Sequence, residues 1–334
     1  MFTPDQMQSS KQIHFQTKEI EDSLKNDGLY IKDSITIRQL TDFDQYRKEN
    51  DYSPEEDYVF ALQNTDKQTP FIGVVNYYLK REGYCLNTYL NGDIYFGYYK
   101  NDLRNKQGIY AFKPKNIENN ILSQFYYGEW ENDLFKGKGI YLWLKEDDDK
   151  EPFSDFKNSN FDAFVGYSVD GKFQKGALLS KKGYYKYIYY GSFSQDGKKE
   201  GKNCFYYSSH SEKLCFGTFK DNIFTEGYVG KFKKEKVTQL IAYKKEENKD
   251  DEGERINLKS EKKITENLKK FREVILKKDY FNMIYEEFER ILKFRDEKMN
   301  NIETILTDKY AEVMNCFQFN KISLCEDIER NIDL

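Results

Sequence analysis

The sequence predicts a mainly β protein with an α-helical C-terminus: an elongated, twisted, single-layer antiparallel sheet of stacked β-hairpins, followed by amphipathic helices. Two observations carry this. An aromatic–x–glycine pattern recurs through residues 71–243, each time with a second glycine ten or eleven positions on. From Glu254 to Leu334 there is neither Gly nor Pro, and apolar residues return at helical spacing.

Residues 1–70 are polar, with 14 acids and 8 bases. They read as an arm that lies on the rest of the protein or on a partner, with short amphipathic helices over 11–24 and 35–47 and a turn at Ser53-Pro54.

The sheet is expected over 71–243, which holds 21 of the 28 tyrosines. Residues 91–110, NGDIYFGYYKNDLRNKQGIY, serve as the ruler. The stretch opens on the turn signal Asn91-Gly92. Period-two alternation then places Tyr95, Gly97 and Tyr99 on one face of a strand. The glycine leaves room for a neighbouring aromatic to lie across the backbone. KNDLRNK makes the hairpin tip, and Gly108 and Tyr110 open the return strand. A second regular copy has Tyr126, Gly128 and Trp130, then Gly137, Gly139 and Tyr141. Gly97 to Gly108 and Gly128 to Gly139 are both eleven apart. Looser copies pair Gly73 with Gly83, Gly166 with Gly176, Gly191 (followed by Phe193) with Gly201, and Gly217 (followed by Phe219) with Gly227, all ten apart. With a partial start at 228–232 this makes six to seven units, the signature of a repeat architecture. Two insertions, 114–124 and the acidic 145–162, break the period. The second reads as a solvated loop or as a docking contact for a basic surface.

Residues 244–263 are a charged linker. Over 264–334, Ile264, Leu268, Phe271 and Ile275 follow a 4-3-4 spacing that Ile284, Phe288 and Ile291 continue, then Ile302, Leu306, Tyr310 and Val313. Two or three helices are expected, broken near Asp279 and Asn300-Asn301. Their stripe suits either a coiled-coil seam or docking on the sheet.

Composition narrows the function. The net charge is -4, so no general attraction to nucleic acid follows. The five cysteines form no CxxC, which argues against a zinc site or a disulfide framework and fits a reducing compartment. No signal-like start and no run of ~18 apolar residues is present. Only two histidines occur, His14 and His210. No nucleophile elbow, zinc helix or phosphate loop stands in the sequence. The KGKG at 136–139 lacks the GK[ST] ending, and Asp147-Asp148-Asp149 lies in no EF-hand spacing. The expectation is a non-enzyme with no catalytic residue, cofactor or metal.

The units resemble the MORN repeat (membrane occupation and recognition nexus), most closely over GEWENDLFKGKGIYLW at 128–143. Lys106 departs from the pattern, standing where the first glycine of GxG is expected. The resemblance implies stacked hairpins forming a grooved sheet. Repeats followed by helices, with no enzyme domain, are similar to the MORN scaffolds of ciliary axonemes, notably radial-spoke heads. The expected role is therefore a structural subunit of a large complex in the cytoplasm, at the cilium or cytoskeleton. Its partners would be other protein subunits, bound through helices packed on the aromatic sheet, and a homodimer remains open. The family name also implies acidic-phospholipid binding, for which 172–202 is the one lysine cluster. A subunit of some other permanent complex is the third expectation.

Overall fold

Two-residue turns with left-handed backbone organise the chain. Asn101-Asp102, Asn132-Asp133, Asp170-Gly171 and Asp221-Asn222 all have positive φ at both positions, between 48° and 76°. This is the type I′ geometry, whose twist matches that of the strands it joins, and Asn, Asp and Gly are the residues that tolerate it. In the computed structural model, residues 36–38, 59–65, 68–75, 80–112, 124–145, 160–233, 236–245, 255–257, 260–299 and 323–332 are described. The chain divides into two units, the first made of 1–113, 130–133 and 295–316, the second of 114–129, 134–294 and 317–334.

The first unit contains β1 (Thr36–Arg38), β2 (Val59–Thr65), β3 (Gln68–Val75), β4 (Arg81–Thr88), β5 (Ile94–Lys100) and β6 (Leu103–Ala111). Each pairs antiparallel with the next in sequence order. Strands thus begin well before residue 71. The helix expected over 35–47 gives way at Thr36–Arg38 to a strand, where Thr and Ile carry β-branched side chains. The helix expected over 11–24 lies outside the described residues.

The second unit is built on the same plan: β7 (Gln124–Glu131), β8 (Leu134–Lys145), β9 (Asn160–Val169), β10 (Lys172–Lys182), β11 (Tyr185–Phe193), β12 (Lys199–Ser208), β13 (Lys213–Lys220), β14 (Ile223–Lys233), β15 (Lys236–Lys244) and β16 (Arg255–Ile256). Within each unit, neighbours in sequence are neighbours in the sheet. The sheet is antiparallel, open and built of consecutive hairpins, as the sequence predicts. Its tips are shorter than KNDLRNK implied, because β6 already begins at Leu103.

Register aligns the small residues of successive strands. In the first unit Ala61 faces Gly73, Gly73 faces Cys85, Cys85 faces Gly97 and Gly97 faces Gly108. In the second, Gly139, Gly166, Gly176 and Gly191 follow one another, then Cys204 faces Gly217 and Gly217 faces Gly227. Each unit therefore carries a row of small residues across its strands. A Cβ at Gly97 would stand 2.5 Å from the Cα of Gly108 and 2.5 Å from Oη of Tyr95. At Gly128 it would stand 2.6 Å from the Cα of Gly139 and from Oη of Tyr126. Tyr95, Tyr126, Phe164 and Tyr189, the first aromatics of four copies, do lie across the glycines.

The same register corrects two pairings. Gly83 is not the partner of Gly73, and Gly201 is not the partner of Gly191; Cys85 and Cys204 take those places. Gly83 and Gly201 sit instead in bulges, at φ 72° and 117°. Gly137 in β8 has the same left-handed backbone, at φ 75°. Lys106 occupies the matching place in β6 at φ 50°, a conformation that costs a residue with a Cβ roughly 1–2 kcal/mol. The departure at Lys106 is thus a strained substitute for the bulge glycine, not a loss of the bulge. Gly166–Gly176 and Gly217–Gly227 are ten apart, against eleven for Gly97–Gly108, because the bulges of β10 and β14 insert fewer residues than that of β6.

The helices are α1 (Lys262–Lys277), α2 (Tyr280–Met299) and α3 (Leu324–Asn331). The break falls at Lys278-Asp279. Leu268, Phe271, Ile284 and Phe288 are fully buried. Their stripe is docked on the second unit's sheet, on the side opposite the tyrosines that cross the glycine row. Phe271 stacks on Phe205 at 4.5 Å and Phe288 on Phe125 at 5.5 Å. Ile302, Leu306, Tyr310 and Val313 lie outside the described residues.

Helix α3 is held by charge as well as by burial of Leu324 and Ile328. Glu326 pairs with Lys138 and Glu329 with Lys175, while Asp327 accepts from Lys278 and from the Tyr280 hydroxyl. Burial opposes the charged forms of Asp327 and Glu329. The donors outweigh it, Lys278, Tyr280 and Ser323 on the first and Lys175 and Tyr190 on the second, and both carboxyls are held below their ordinary range.

Two outcomes are expected. Gly97→Val should lower stability by about 2–4 kcal/mol in denaturant unfolding, since the new side chain meets the backbone of Gly108 as well as the buried ring of Tyr95; Gly183→Ala, at an open tip with φ 58°, should cost only about 1 kcal/mol. A depressed carboxyl contributes stability that is present above its unfolded pKa and is lost as pH falls through the folded value. Helix α3 should therefore stay docked at neutral pH and lose amide protection below about pH 4, read by hydrogen exchange corrected for intrinsic rates. Unchanged protection at pH 2 would contradict the charged clamp.

Candidate interaction surface

The bulges free backbone groups, and the tyrosines take them up. Tyr95 Oη donates to the carbonyl of Tyr98 at 3.1 Å, Tyr126 Oη to that of Glu129 at 2.9 Å, and Tyr189 Oη to that of Ser192 at 2.7 Å. In each case the ring passes over the glycine two residues on, and the hydroxyl reaches the carbonyl one residue further. A Tyr-x-Gly-x stretch is thus a closed local device: the missing side chain admits the ring, and the hydroxyl satisfies the acceptor that the bulge took from the ladder.

A second device links consecutive hairpins. Arg81 donates from its backbone N–H and from Nε to one carboxylate oxygen of Asp102, at 2.7 and 3.0 Å, and its guanidinium lies 4.3 Å from the ring centre of Tyr99. Arg104 repeats this with Asp133, at 2.8 and 2.9 Å, and stacks 4.4 Å from Trp130. Asn222 caps the backbone of Lys199 likewise, and Gly171 N–H donates to Phe135. In these four cases the tip of a hairpin is clasped by the return strand of an earlier one. Arg81, Arg104, Phe135 and Lys199 all stand two residues before a residue with left-handed backbone: Gly83, Lys106, Gly137 and Gly201. That constant offset was the available signal for the clasp, which reading the glycines alone misses.

On the tyrosine side of the second unit, Phe164, Tyr189, Phe193, Cys204 and Phe219 form a buried cluster, edged by partly exposed Tyr141, Trp143, Phe173, Leu178, Tyr206 and Phe224. Phe164 and Phe173 stack at 4.0 Å, and Tyr189 meets Phe219 edge-on at 5.1 Å. Such pairs contribute roughly 0.5–1.5 kcal/mol each beyond area burial. Burial pushes the phenol of Tyr206 up to about 12, so at neutral pH it is an uncharged donor. The thiols of Cys215 and Cys325 are likewise pushed up to about 12 by burial, far from nucleophilic thiolates.

The expected positions fall into three groups. Tyr95, Gly97, Tyr99, Gly108 and Trp130 come together in the first unit, where Trp130 Nε1 donates to the carbonyl of Gly108 at 3.2 Å. Tyr126, Gly128, Gly139, Tyr141, Gly166, Gly191, Phe193, Gly217 and Phe219 line the same side of the second unit's strands, with Gly73 in the row of the first. Gly83 is a bulge residue, and Gly137 shares its left-handed backbone. Reading the sequence missed Cys85 and Cys204, both fully buried as members of the small-residue rows. Among the described residues no three His, Cys, Asp or Glu side chains gather as metal ligands, and no helix is long and apolar enough to cross a membrane.

No family model matches the chain, and no curated protein matches it.

Arg104→Ala should cost about 1–2 kcal/mol by removing charge-assisted bonds and the stack on Trp130. Arg104→Lys should recover less than half of that, because an ammonium cannot reproduce the planar fork. Chemical denaturation of both variants tests this; full recovery by Lys would reduce the clasp to simple charge.

Proposed function

We propose that this chain is a non-enzymatic scaffold of MORN-type repeats, a protein-binding subunit of a large assembly, with the ciliary axoneme and its radial spokes as the assembly in question. One observation carries the reading: the second unit fills one side of its sheet with its own helices, while the other side keeps a continuous strip of half-exposed aromatic rings. Rigid aromatic side chains that are only partly buried are what partner proteins use as anchors. The Tyr-x-Gly device, made at Tyr95, Tyr126 and Tyr189, supports the MORN resemblance, because it makes these three hairpins copies of one physical unit.

The lipid-binding alternative draws on the lysines of 172–202. Lys175 pairs with Glu329, Lys186 with Asp279 and Lys198 with Asp221. Lysines engaged in this way add little to a polybasic attraction, which needs clustered cations at ~1 kcal/mol each. This favours the protein-binding reading.

An epitope-tagged copy expressed in the native cell should concentrate in cilia and sediment with a high-mass complex whose members mass spectrometry identifies. A diffuse signal together with a monomeric sedimentation rate would reject the scaffold; a high-mass complex without ciliary signal would reject only the axonemal assignment.

A further inference from the structure

The tyrosine side of the sheet changes character between β11 and β15. Four residues from the small-residue row, Ser208 faces Lys213 and Lys213 faces Lys231 across β13 and β14. Both lysines are exposed, and neither ammonium meets a carboxylate among the described residues. Like charges directly opposite one another destabilise an antiparallel pair, so the fold alone gives no reason for them. One step nearer the row, register sets Tyr206, Cys215, Val229 and Ile241 side by side, all half-buried. A third cation, Lys199, faces Phe193 across the sheet and holds its ammonium 5.4 Å from the ring centres of both Tyr189 and Tyr206. Against these three cations, the described strand positions on this side of β9 to β15 supply one carboxylate, Asp162, which the Ser180 hydroxyl already bonds. Helix α1 occupies the reverse side of the same strands, with Leu268 against Gly230 and Phe271 on Phe205.

We propose that this strip binds an extended acidic segment of a partner protein. Apolar side chains of the segment lie over Tyr206, Cys215, Val229 and Ile241, and its carboxylates meet Lys213 and Lys231. Four strands, β12 to β15, at ~4.8 Å spacing make the strip about 14 Å long, the span of about four extended residues. The proposal rests on the scaffold reading above and names the chemistry of the partner. A carboxylate placed between the two lysines relieves their repulsion, so binding and the strained cross-strand pair are two sides of one arrangement.

The test uses random twelve-residue peptides displayed on phage, selected on the full chain and on the K213E/K231E variant, with affinities of synthetic winners measured by fluorescence anisotropy. The native chain should select peptides in which Asp or Glu alternates with apolar residues. Their affinity should fall as salt is added and drop about tenfold on K213A/K231A. The K213E/K231E variant should select Lys- and Arg-bearing peptides instead. Both positions are exposed, so thermal melting of K213A/K231A should be unchanged or higher, which separates lost binding from lost folding. Peptides that bind without acidic residues, or equally well to the double variant, overturn this proposal and leave the scaffold reading standing. No selected peptide at all overturns both. Binding to phosphatidylserine vesicles that depends on the same two lysines, without acidic peptides, assigns the strip to lipid and also overturns the proposal.

Discussion

The structure depends on a tyrosine ring lying flat across two backbones. For that to happen, two facing strands must lack side chains at the same height, and the carbonyl left over at the adjacent bulge must find a donor. Glycine meets the first condition and the phenolic hydroxyl the second. Everything else follows from the repetition. The rings of successive hairpins come within edge-to-face distance of one another, and the sheet acquires an interior on a side where no helix is docked. A sheet that packs its own aromatic residues in this way leaves its other side available for helices, which is where α1, α2 and α3 are found.

The two sides are stabilised by different physics. On the helical side, Leu268, Phe271, Ile284 and Phe288 bury apolar area in the ordinary manner, and a ring of ion pairs fixes the last short helix. On the tyrosine side, stability comes from ring geometry, hydroxyl bonds to backbone and guanidinium stacking. These terms are directional, and they act hairpin by hairpin.

Much of the architecture was legible in the sequence. The alternation Tyr95–Gly97–Tyr99 was enough to place the ring and the glycine on one face, and the I′ turn pairs carry their own chemistry. The helical stripe and its break at Asp279 were legible from period and from the absence of Gly and Pro. Register was not. Whether Gly73 faces Gly83 or Cys85 depends on how many residues the bulge absorbs, and a bulge leaves the residue types on either side unchanged. For the same reason Cys85 and Cys204 looked scattered until the strands were aligned. The strands at Thr36–Arg38 and Val59–Thr65 were missed because charged neighbours mask short β-branched runs. The side that the helices occupy was undetermined too, since a stripe of Leu and Phe fits a coiled coil as well as a sheet. The partly exposed rings of the candidate surface were visible as aromatics, but their exposure is a property of what packs on them.

The clasp between hairpins has a consequence for how such a chain changes length. The tips at Asp102 and Asp133 are tied to the preceding return strand, through Arg81 and Arg104, so neither admits an extra residue without breaking a bond to its neighbour. On the opposite edge the described connections are tied as well: Ser209 bonds Lys186 in both directions, and Gly183 N–H donates to the Asn160 side chain. Both long insertions, around 114–124 and 145–162, fall between hairpins, after β6 and after β8. Whole hairpins can thus be added or removed as units, each with its own tie, and new sequence between hairpins leaves the spacing of the aromatic side untouched.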